Sequence, residues 1–561
     1  MPEPLLPMDS VRAGLLRQVY GDTTAGALVG RLEAFLDRWR PRLAQAGRCG
    51  PLRPLDERDA VLITYADQIQ APGERPLQTL DAFAERHLRG VVSGIHLLPF
   101  YPWSSHDGFS VKNCLAVDPA FGTWDDVQHL GRQFDLMMDA VFNHMSAQGE
   151  WFRQFCAGDP AFDDFFVTVD GQPDLSAVIR PRALPLLTEF ETARGRERVW
   201  TTFSADQVDL NFRNPEVLFA VLDALLLYVE RGARYVRLDA IAFLWKEVGT
   251  SCLHLPQTHQ LIQLLRAVLA AVAPDVRLIT ETNVPHVDNV SYFGDGTNEA
   301  QLVYNFALPP LVLHSLATGN ASALTQWART LVLPGDQVTF FNFLASHDGI
   351  GVNPARGILT DAQIDALVAR TQAHGGYISY KNLPDGSQAP YEMNINYLDA
   401  LSDPTAKEPA DLVIRRMLCA HAIQLSLAGV PGIYVHSLLG SRGDRTGAER
   451  SGIPRRINRE KLEARRLENE LADPGNLRHG VFQGLRTLLQ ERARHAAFAP
   501  SSGQVIHELA DSVFVVERIS RVDGRRMWCG HNVSAHPVSI PHPDGVSTLS
   551  LAPYDVRWLE V

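Results

Sequence analysis

Four short segments in the middle of the chain place carboxylates or histidines directly after strand-like apolar runs. They are Asp139-Ala-Val-Phe-Asn-His144, Arg237-Leu-Asp239, Glu281 after Val276-Arg-Leu-Ile-Thr280, and His347-Asp348 after the apolar run 339–346. Groups at the carboxyl ends of the strands of a parallel barrel converge on one pocket. The order of these segments therefore predicts a site in which Asp239, Glu281 and Asp348 lie together.

Three acids in a closed pocket suit the exchange of a glycosidic bond. One carboxylate attacks the anomeric carbon while a protonated carboxyl, about 5–5.5 Å away in retaining enzymes, gives its proton to the departing oxygen. We interpret Asp239 as the nucleophile and Glu281 as the acid/base, with Asp348 stabilising the distorted sugar. Arg237 lies on the same strand face as Asp239, where its charge is expected to keep that carboxylate ionised. Partial burial is expected to raise the pKa of Glu281.

Two histidines accompany the acids and are interpreted as recognition groups. His144 and His347 can donate hydrogen bonds to sugar oxygens without adding negative charge. A single aspartate at a strand end is usually a turn or cap residue, so we rely on the four segments together. Asn143 is compatible with a turn or with a metal ligand, but no acidic calcium loop accompanies it, and we predict neither a metal nor a cofactor.

The elements that must position these residues alternate between short apolar runs and amphipathic stretches, which predicts a (β/α)8 TIM barrel. Its strands are placed near residues 60–65, 94–99, 134–141, 234–239, 276–281, 302–306, 338–344 and 430–435. We expect a helical N-terminal extension over residues 1–57, a catalytic barrel over 58–494 and a C-terminal β-sandwich over 495–561. Two gaps too long for ordinary loops, about 145–205 and 353–410, predict inserted elements that cover the substrate.

Composition excludes several classes of function. The 561-residue chain has 52 lysines and arginines against 64 aspartates and glutamates, a formal net charge of −12, and no basic run that suits nucleic acid. Its 6 cysteines lie far apart without CxxC spacing, which favours a reducing cytoplasm. Residues 1–8 lack the pattern of a signal peptide, and no stretch of about 18 apolar residues occurs. We expect a cytoplasmic protein that does not contact a membrane.

Over residues 58–561 the four segments resemble, in order and spacing, the signature regions of the α-amylase family of glycoside hydrolases, family 13. Within that family the chain is most similar to the sucrose phosphorylase branch, which transfers glucose to phosphate. The similarity lies in Ile63-Thr-Tyr-Ala-Asp67, Pro99-Phe-Tyr-Pro-Trp-Ser-Ser-His-Asp-Gly-Phe109, Gln207-Val-Asp-Leu-Asn211 and His347-Asp-Gly-Ile-Gly351. The resemblance implies the same three acid roles. It also implies that the glucosyl ring is surrounded by Asp107, His144, Gln207, Arg237 and His347.

The acceptor half of the site departs from sucrose phosphorylase. The departing segments are Glu281-Thr-Asn-Val-Pro-His286, Phe243-Leu-Trp-Lys246, Gly249-Thr-Ser-Cys-Leu-His254 and Pro390-Tyr-Glu-Met-Asn-Ile-Asn396. They resemble the members of the branch that act on glucosylglycerate. The resemblance implies phosphorolysis of 2-O-α-D-glucosyl-D-glycerate through a covalent glucosyl-enzyme. The partners implied are this glucoside, inorganic phosphate and D-glycerate.

A phosphorylase must admit an anion beside its carboxylates, so cationic groups are expected near the acceptor. Arg455 and Arg456 are candidates, and the resemblance places Arg455 in the site through the branch's Arg-x-Ile-Asn-Arg stretch. A guanidinium suits phosphate or the glycerate carboxylate equally well. Arg456 is also compatible with a solvated basic loop. Lys246, Lys381 and Glu392 are further candidates for acceptor binding.

Three other functions stay open at this point. Phosphorolysis of sucrose, glucosylglycerol or a phosphorylated sucrose would use the same donor-site residues. A hydrolase or transglucosidase would intercept the same glucosyl-enzyme with water or a sugar hydroxyl. A non-catalytic carbohydrate-binding protein on the same barrel is disfavoured because all three acids are present.

Overall fold

Eight parallel strands close into a barrel in the computed structural model, which describes residues 8–181, 184–382 and 387–561. The predicted fold class is confirmed, and each strand lies where the sequence places it. The strands are β1 (Val61–Thr64), β2 (Gly94–Leu97), β3 (Asp135–Ala140), β4 (Ala233–Leu238), β5 (Arg277–Thr280), β6 (Leu302–Tyr304), β7 (Thr339–Phe343) and β8 (Val430–Tyr434). Each pairs with its neighbours in chain order, and β8 returns to β1.

The strands are nearly continuous apolar runs because helices cover the outside of the barrel while side chains fill its interior. Helices follow the strands at Pro76–His87, Trp124–Leu130, Pro215–Glu230, Pro256–Val272, His286–Asn289, Leu308–Thr318, Ser322–Arg329, Ala410–Ser426 and Leu477–Arg492. The register sets Arg237 on β4 opposite Asp139 on β3 and Ile279 on β5. Arg237 therefore lies directly under the predicted acids.

The N-terminal extension is one long helical element, Met8–Gln45, bent at Gly21, whose φ of 77° is not helical. Its buried apolar side chains, including Leu32, Leu36 and Trp39, belong to the same hydrophobic core as the barrel. The Trp39 indole donates to Asp223 across 3.1 Å on the helix that follows β3. The extension is thus packed against the barrel along its length. Residues 1–7, which carry part of the signal-peptide argument, lie outside the described residues.

Both long gaps contain ordered elements above the carboxyl ends of the strands. The first holds a two-strand ladder of His144–Ser146 with Gln207–Asp209, the helix Glu150–Ala157 and a hairpin of Leu187–Thr192 with Gly195–Trp200. The second holds the helix Asp361–Ala373 and a three-stranded sheet of Ile350–Gly351, Gln388–Asn394 and Tyr377–Asn382. Short helices at Val435–Leu438, Arg445–Ser451 and Ala464–Ala472 follow β8.

The C-terminal region consists of antiparallel sheets. Four strands form one sheet, Gly503–Ala510, Val513–Ile519, Arg526–Asn532 and Val556–Glu560, and Val538–Pro541 pairs with Thr548–Leu551 in a second. Val515, Trp528, Ile540 and Leu551 fill the space between them. The exact domain boundaries at 57 and 494 stay predictions. Among the described helices, none has the length and apolar character required to span a membrane.

Candidate active site

A cavity of about 600 Å³ opens at the carboxyl ends of the barrel strands. Eight of the twelve predicted site residues line it, and the other four, Asp107, Arg237, Lys246 and Glu392, lie behind its wall. The predicted residues on the wall are His144, Gln207, Asp239, Glu281, His347, Asp348, Lys381 and Arg455. Residues from β3, β4, β5 and β7 thus converge as the strand-end argument requires.

Asp239 follows the end of β4 and is held from below by Arg237. One guanidinium nitrogen of Arg237 donates to Oδ1 of Asp239 across 2.8 Å and also binds the buried Asp139. Asp139 in turn contacts His96 across 2.7 Å. Burial raises the pKa of Asp239, and the Arg237 charge opposes that rise. Arg237 therefore supplies the charge that an anionic nucleophile requires.

Glu281 follows β5 on the neighbouring strand. Its Oε2 accepts a hydrogen bond from the backbone N–H of Ala240 across 3.0 Å and lies 3.8 Å from Arg237. Burial is the main cause that raises the pKa of this carboxyl to about 7, and the nearby charges of Asp239 and Asp348 act in the same direction. A carboxyl with this pKa is partly protonated at neutral pH, as a general acid must be.

Asp348 follows β7 and lies among cations. Its Oδ1 accepts from Arg455 across 2.6 Å, and Arg459 lies 3.5 Å away. Burial alone would raise the pKa of Asp348, but the charges of Arg455 and Arg459 outweigh that effect and hold the pKa below its usual range. Asp348 is therefore ionised at neutral pH, whereas Glu281 is partly protonated.

Two neutral histidines complete the floor of the cavity. Nε2 of His144 lies 2.9 Å from Nε2 of Gln207 and 3.0 Å from the carbonyl oxygen of Phe109. The ring of His347 stacks on that of Phe109, with centroids 4.7 Å apart and planes 4° from parallel. Burial lowers the pKa of both histidines, so both rings are uncharged at neutral pH.

Asp107 does not lie on the cavity wall, although the resemblance places it beside the glucosyl ring. Its carboxylate accepts from Arg456 and Arg459, each across 2.7 Å, while the preceding His106 lines the cavity. Both residues have positive φ, 58° at His106 and 49° at Asp107, a backbone conformation that is uncommon for residues other than glycine. Burial alone would raise the pKa of Asp107, but the two arginines lower it to about 2.

Lys246 is also absent from the cavity wall. Its ammonium lies 2.7 Å from Asp209 and donates to the side chain of Asn143 across 2.7 Å. Lys246 and Asp209 are both buried. The structure thus places Lys246 in a buried ion pair that joins the first insertion to the barrel, and Lys246 does not line the cavity.

Glu392 lies behind Arg455. Both of its carboxylate oxygens accept from the guanidinium, across 2.9 and 2.5 Å, and its side chain is 1% exposed. It therefore contacts the site through Arg455.

Sequence reasoning missed Arg180 and assigned no role to Arg459, and both line the cavity. The Arg180 guanidinium donates to the carbonyl oxygen of Leu184 across 3.1 Å. Within the described parts of the chain, neither Arg180 nor Lys381 has a carboxylate within 4.0 Å, whereas Arg455 and Arg459 are both paired. Arg180 gave no signal because most arginines in loops are simply solvated. For the same described residues, no group of three histidine, cysteine or acidic side chains is arranged to hold a metal.

A closed barrel that presents three carboxyl groups beyond the ends of β4, β5 and β7, one of them partly protonated, is the architecture of an enzyme that exchanges glycosidic bonds. Residues 89–349 match the model of the alpha-amylase catalytic domain.

The chain belongs to the α-amylase family and groups with its phosphorylases. It is 51% identical over 531 residues to the glucosylglycerate phosphorylase of Spirochaeta thermophila, covering 94% of this chain and 89% of the relative. It is 32% identical over 465 residues to the sucrose phosphorylase of Agrobacterium vitis, covering 78% and 88% of the two chains. Among solved structures, sucrose 6F-phosphate phosphorylase from Thermoanaerobacter thermosaccharolyticum has a TM-score of 0.75 and 25% identity, covering 88% of this chain and 98% of that one.

Proposed function

We propose that this protein catalyses the retaining phosphorolysis of 2-O-α-D-glucosyl-D-glycerate to α-D-glucose 1-phosphate and D-glycerate. The observation that carries the proposal is the 51% identity with a glucosylglycerate phosphorylase along nearly the whole chain, against 32% with a sucrose phosphorylase. The donor site does not separate the two activities, because both need the same glucosyl pocket. The difference between them must lie in the acceptor half of the cavity.

The mechanism proposed is a double displacement. Glu281 protonates the glycosidic oxygen while Asp239 attacks the anomeric carbon. D-Glycerate departs, and the glucosyl group stays bound to Asp239 as a covalent glucosyl-enzyme. Phosphate then attacks the same carbon from the face that D-glycerate left, which restores the α configuration. Since phosphate is already ionised, its attack needs little help from Glu281 as a base. Asp348 would hold sugar hydroxyls as the ring distorts.

The donor half of the cavity is assigned by position. His144, Gln207 and His347 line its floor and are proposed to hold the glucosyl ring by hydrogen bonds. Arg237 is proposed to act from below, by keeping Asp239 anionic.

The acceptor half is proposed to bind an anion through Arg180 and Lys381. These two cations line the cavity without a carboxylate partner among the described residues. Burial lowers the pKa of Lys381, and the nearby Arg356 lowers it further. A bound carboxylate or phosphate would reverse both effects by supplying the missing negative charge. Both acceptors of the reaction are anions, so one pair of cations would serve D-glycerate and phosphate in turn.

An acceptor competition in the direction of synthesis tests the proposal. The purified protein would receive α-D-glucose 1-phosphate with equal concentrations of D-glycerate, glycerol and fructose, and the glucosides would be resolved by NMR. We expect glucosylglycerate to be formed in at least about tenfold excess over each other product, because one ionic contact contributes that much discrimination. Predominant sucrose or glucosylglycerol would assign the protein to another phosphorylase. Predominant free glucose would make it a hydrolase.

The proposal needs no cofactor and no macromolecular partner. The division of the chain at residues 57 and 494 and a cytoplasmic location stay predictions from the sequence.

A further inference from the structure

The strand that follows Asp348 is joined to the second insertion. Asp348 leads through Gly349 into the short strand Ile350–Gly351, which pairs antiparallel with Gln388–Asn394. In this ladder Gly351 lies opposite Glu392. The backbone that carries Asp348 is therefore built partly on a sheet that the insertion supplies, and Glu392 lies at the junction.

Glu392 contacts both the backbone and the side-chain environment of Asp348. Its Oε1 accepts from the backbone N–H of Gly349 across 3.1 Å, one residue beyond Asp348. Its two oxygens also bind Arg455, whose remaining terminal nitrogen lies 2.6 Å from Asp348. The buried carboxylate of Glu392 thus binds both the main chain next to Asp348 and the guanidinium that contacts the Asp348 side chain.

Gly349 is packed tightly against Glu392 and the neighbouring strand. A Cβ at Gly349 would lie 2.5 Å from the carbonyl oxygen of Met393 and 2.7 Å from the side chain of Glu392. Both distances are far below ordinary contact, so any side chain here would displace Glu392 or the backbone beside Asp348. Gly349 and Glu392 form a close contact that only glycine permits.

The charges explain why two acids share one arginine. Arg455 faces Asp348 on one side and Glu392 on the other, and both carboxylates raise its pKa against the effect of burial. If the guanidinium faced Asp348 alone, its full charge would bind that carboxylate and compete with sugar hydroxyls for it. Glu392 pairs with the same guanidinium, which weakens the hold of Arg455 on Asp348 and fixes the position of the Arg455 side chain.

We propose that Glu392 is a positioning residue for Asp348, acting through Gly349 and Arg455, and that it does not bind the acceptor. The inference rests on the proposed glucosyl transfer. It changes the role that the sequence assigned to Glu392, from a contact with substrate to a support behind one.

The test compares Glu392→Gln with the unaltered enzyme in phosphate-dependent glucosyl transfer. Gln keeps the shape and one acceptor oxygen but removes the charge that Arg455 shares. We expect kcat to fall about 10- to 100-fold, since a small misplacement of a catalytic group costs that much. The KM values for phosphate and D-glycerate are expected to change less than about threefold, because uniform binding is untouched. An increase of tenfold or more in either KM with kcat preserved would overturn the proposal.

Two further variants keep the test decisive if Glu392→Gln is unstable. Gly349→Ala crowds Glu392 without touching any charge, and it is expected to show the same loss of kcat with KM values preserved. Full activity of Gly349→Ala would overturn the proposal. Glu189→Gln removes a carboxylate from the exposed hairpin of the first insertion and is the matched control, expected to be unchanged. If the unaltered enzyme makes no glucose 1-phosphate at all, the proposed function fails first, and that outcome is distinct from failure of the positioning role.

Discussion

Arg237 donates a hydrogen bond to Asp239 across 2.8 Å and lies 3.8 Å from Glu281, so one buried guanidinium stands beneath both acids of the proposed double displacement. Arg237 lowers the pKa of both carboxyl groups, but it contacts them at different distances. Asp239 is in direct contact with it, whereas Glu281 is farther away and keeps a pKa of about 7. Arg237 thus opposes the rise that burial causes in the pKa of Asp239, as an attacking carboxylate requires, while Glu281 stays partly protonated, as a proton donor requires.

Replacing the nucleophile should abolish transfer in both directions. Asp239→Asn keeps the size of the side chain but cannot form the glucosyl-enzyme, so we expect kcat/KM to fall at least about 10⁴-fold for phosphorolysis and for synthesis. Release of glucose 1-phosphate and formation of glucoside would be measured separately. Asp174→Asn, on an exposed loop of the first insertion, is the control. If the variant kept more than about 1% of the original rate in either direction, about two powers of ten above the expected rate, that result would contradict the nucleophile assignment.

The pH profile should report Glu281. Its pKa is raised to about 7, so the protonated form required of the acid is present below pH 7 and is lost as the pH rises through that value. We expect kcat/KM for the natural glucoside to be level on the acid side of pH 7. Above that value it should fall about tenfold per pH unit.

The leaving group offers the control for that profile. The fluoride ion leaves glucosyl fluoride without being protonated, so kcat/KM for this donor should not fall above pH 7. For the same reason, Glu281→Ala should keep much more activity with glucosyl fluoride than with the glucoside. Equal losses with both donors would contradict the acid role of Glu281.

Arg180 should determine preference for an anionic acceptor. Arg180→Ala removes a guanidinium that lines the cavity without a described carboxylate partner, and we expect the KM for D-glycerate to rise about 10- to 100-fold. The rate with glycerol, which has no charge, should change little. Arg194→Ala removes an arginine of the same insertion that is paired with Asp163 and Glu197, and it should leave both acceptors unaffected. Equal effects on glycerate and glycerol would show that Arg180 does not recognise charge.

Lys246 should behave as a structural residue. Lys246→Met leaves the buried Asp209 without its cation, and we expect a loss of about 3 kcal/mol in the free energy of unfolding, measured by urea denaturation. Lys407→Met, at an exposed position, should cost less than about 0.5 kcal/mol. A stable Lys246→Met enzyme whose only defect is a raised KM for D-glycerate would restore Lys246 to the acceptor site.

The barrel and its acids were predictable from the sequence because their signals are local. Each strand is a short apolar run. Asp239 and Glu281 each follow one directly and Asp348 follows the end of β7, so strand direction alone brings the three acids together. The pairing of Asp107 with Arg456 and Arg459 was not predictable, since these two partners lie 349 and 352 positions away along the chain.

Ion pairs between residues that lie far apart in the sequence were also not predictable from local patterns. Lys246 and Asp209 are 37 positions apart, and nothing local distinguishes a buried lysine from a solvated one. Arg455 and Glu392, 63 positions apart, were both named as acceptor candidates, but only the fold shows that they bind each other. Sequence patterns indicate which side chains carry charge, and packing decides which charges remain available to a ligand.

The most direct test of the proposed function is the release of α-D-glucose 1-phosphate from glucosylglycerate, glucosylglycerol and sucrose, each with and without phosphate. We expect phosphate-dependent release from glucosylglycerate, with a kcat/KM at least about tenfold above the values for the other two glucosides. Release mainly from sucrose or glucosylglycerol would contradict the acceptor assignment while leaving the acids in place. Free glucose at a rate independent of phosphate would contradict phosphorolysis itself.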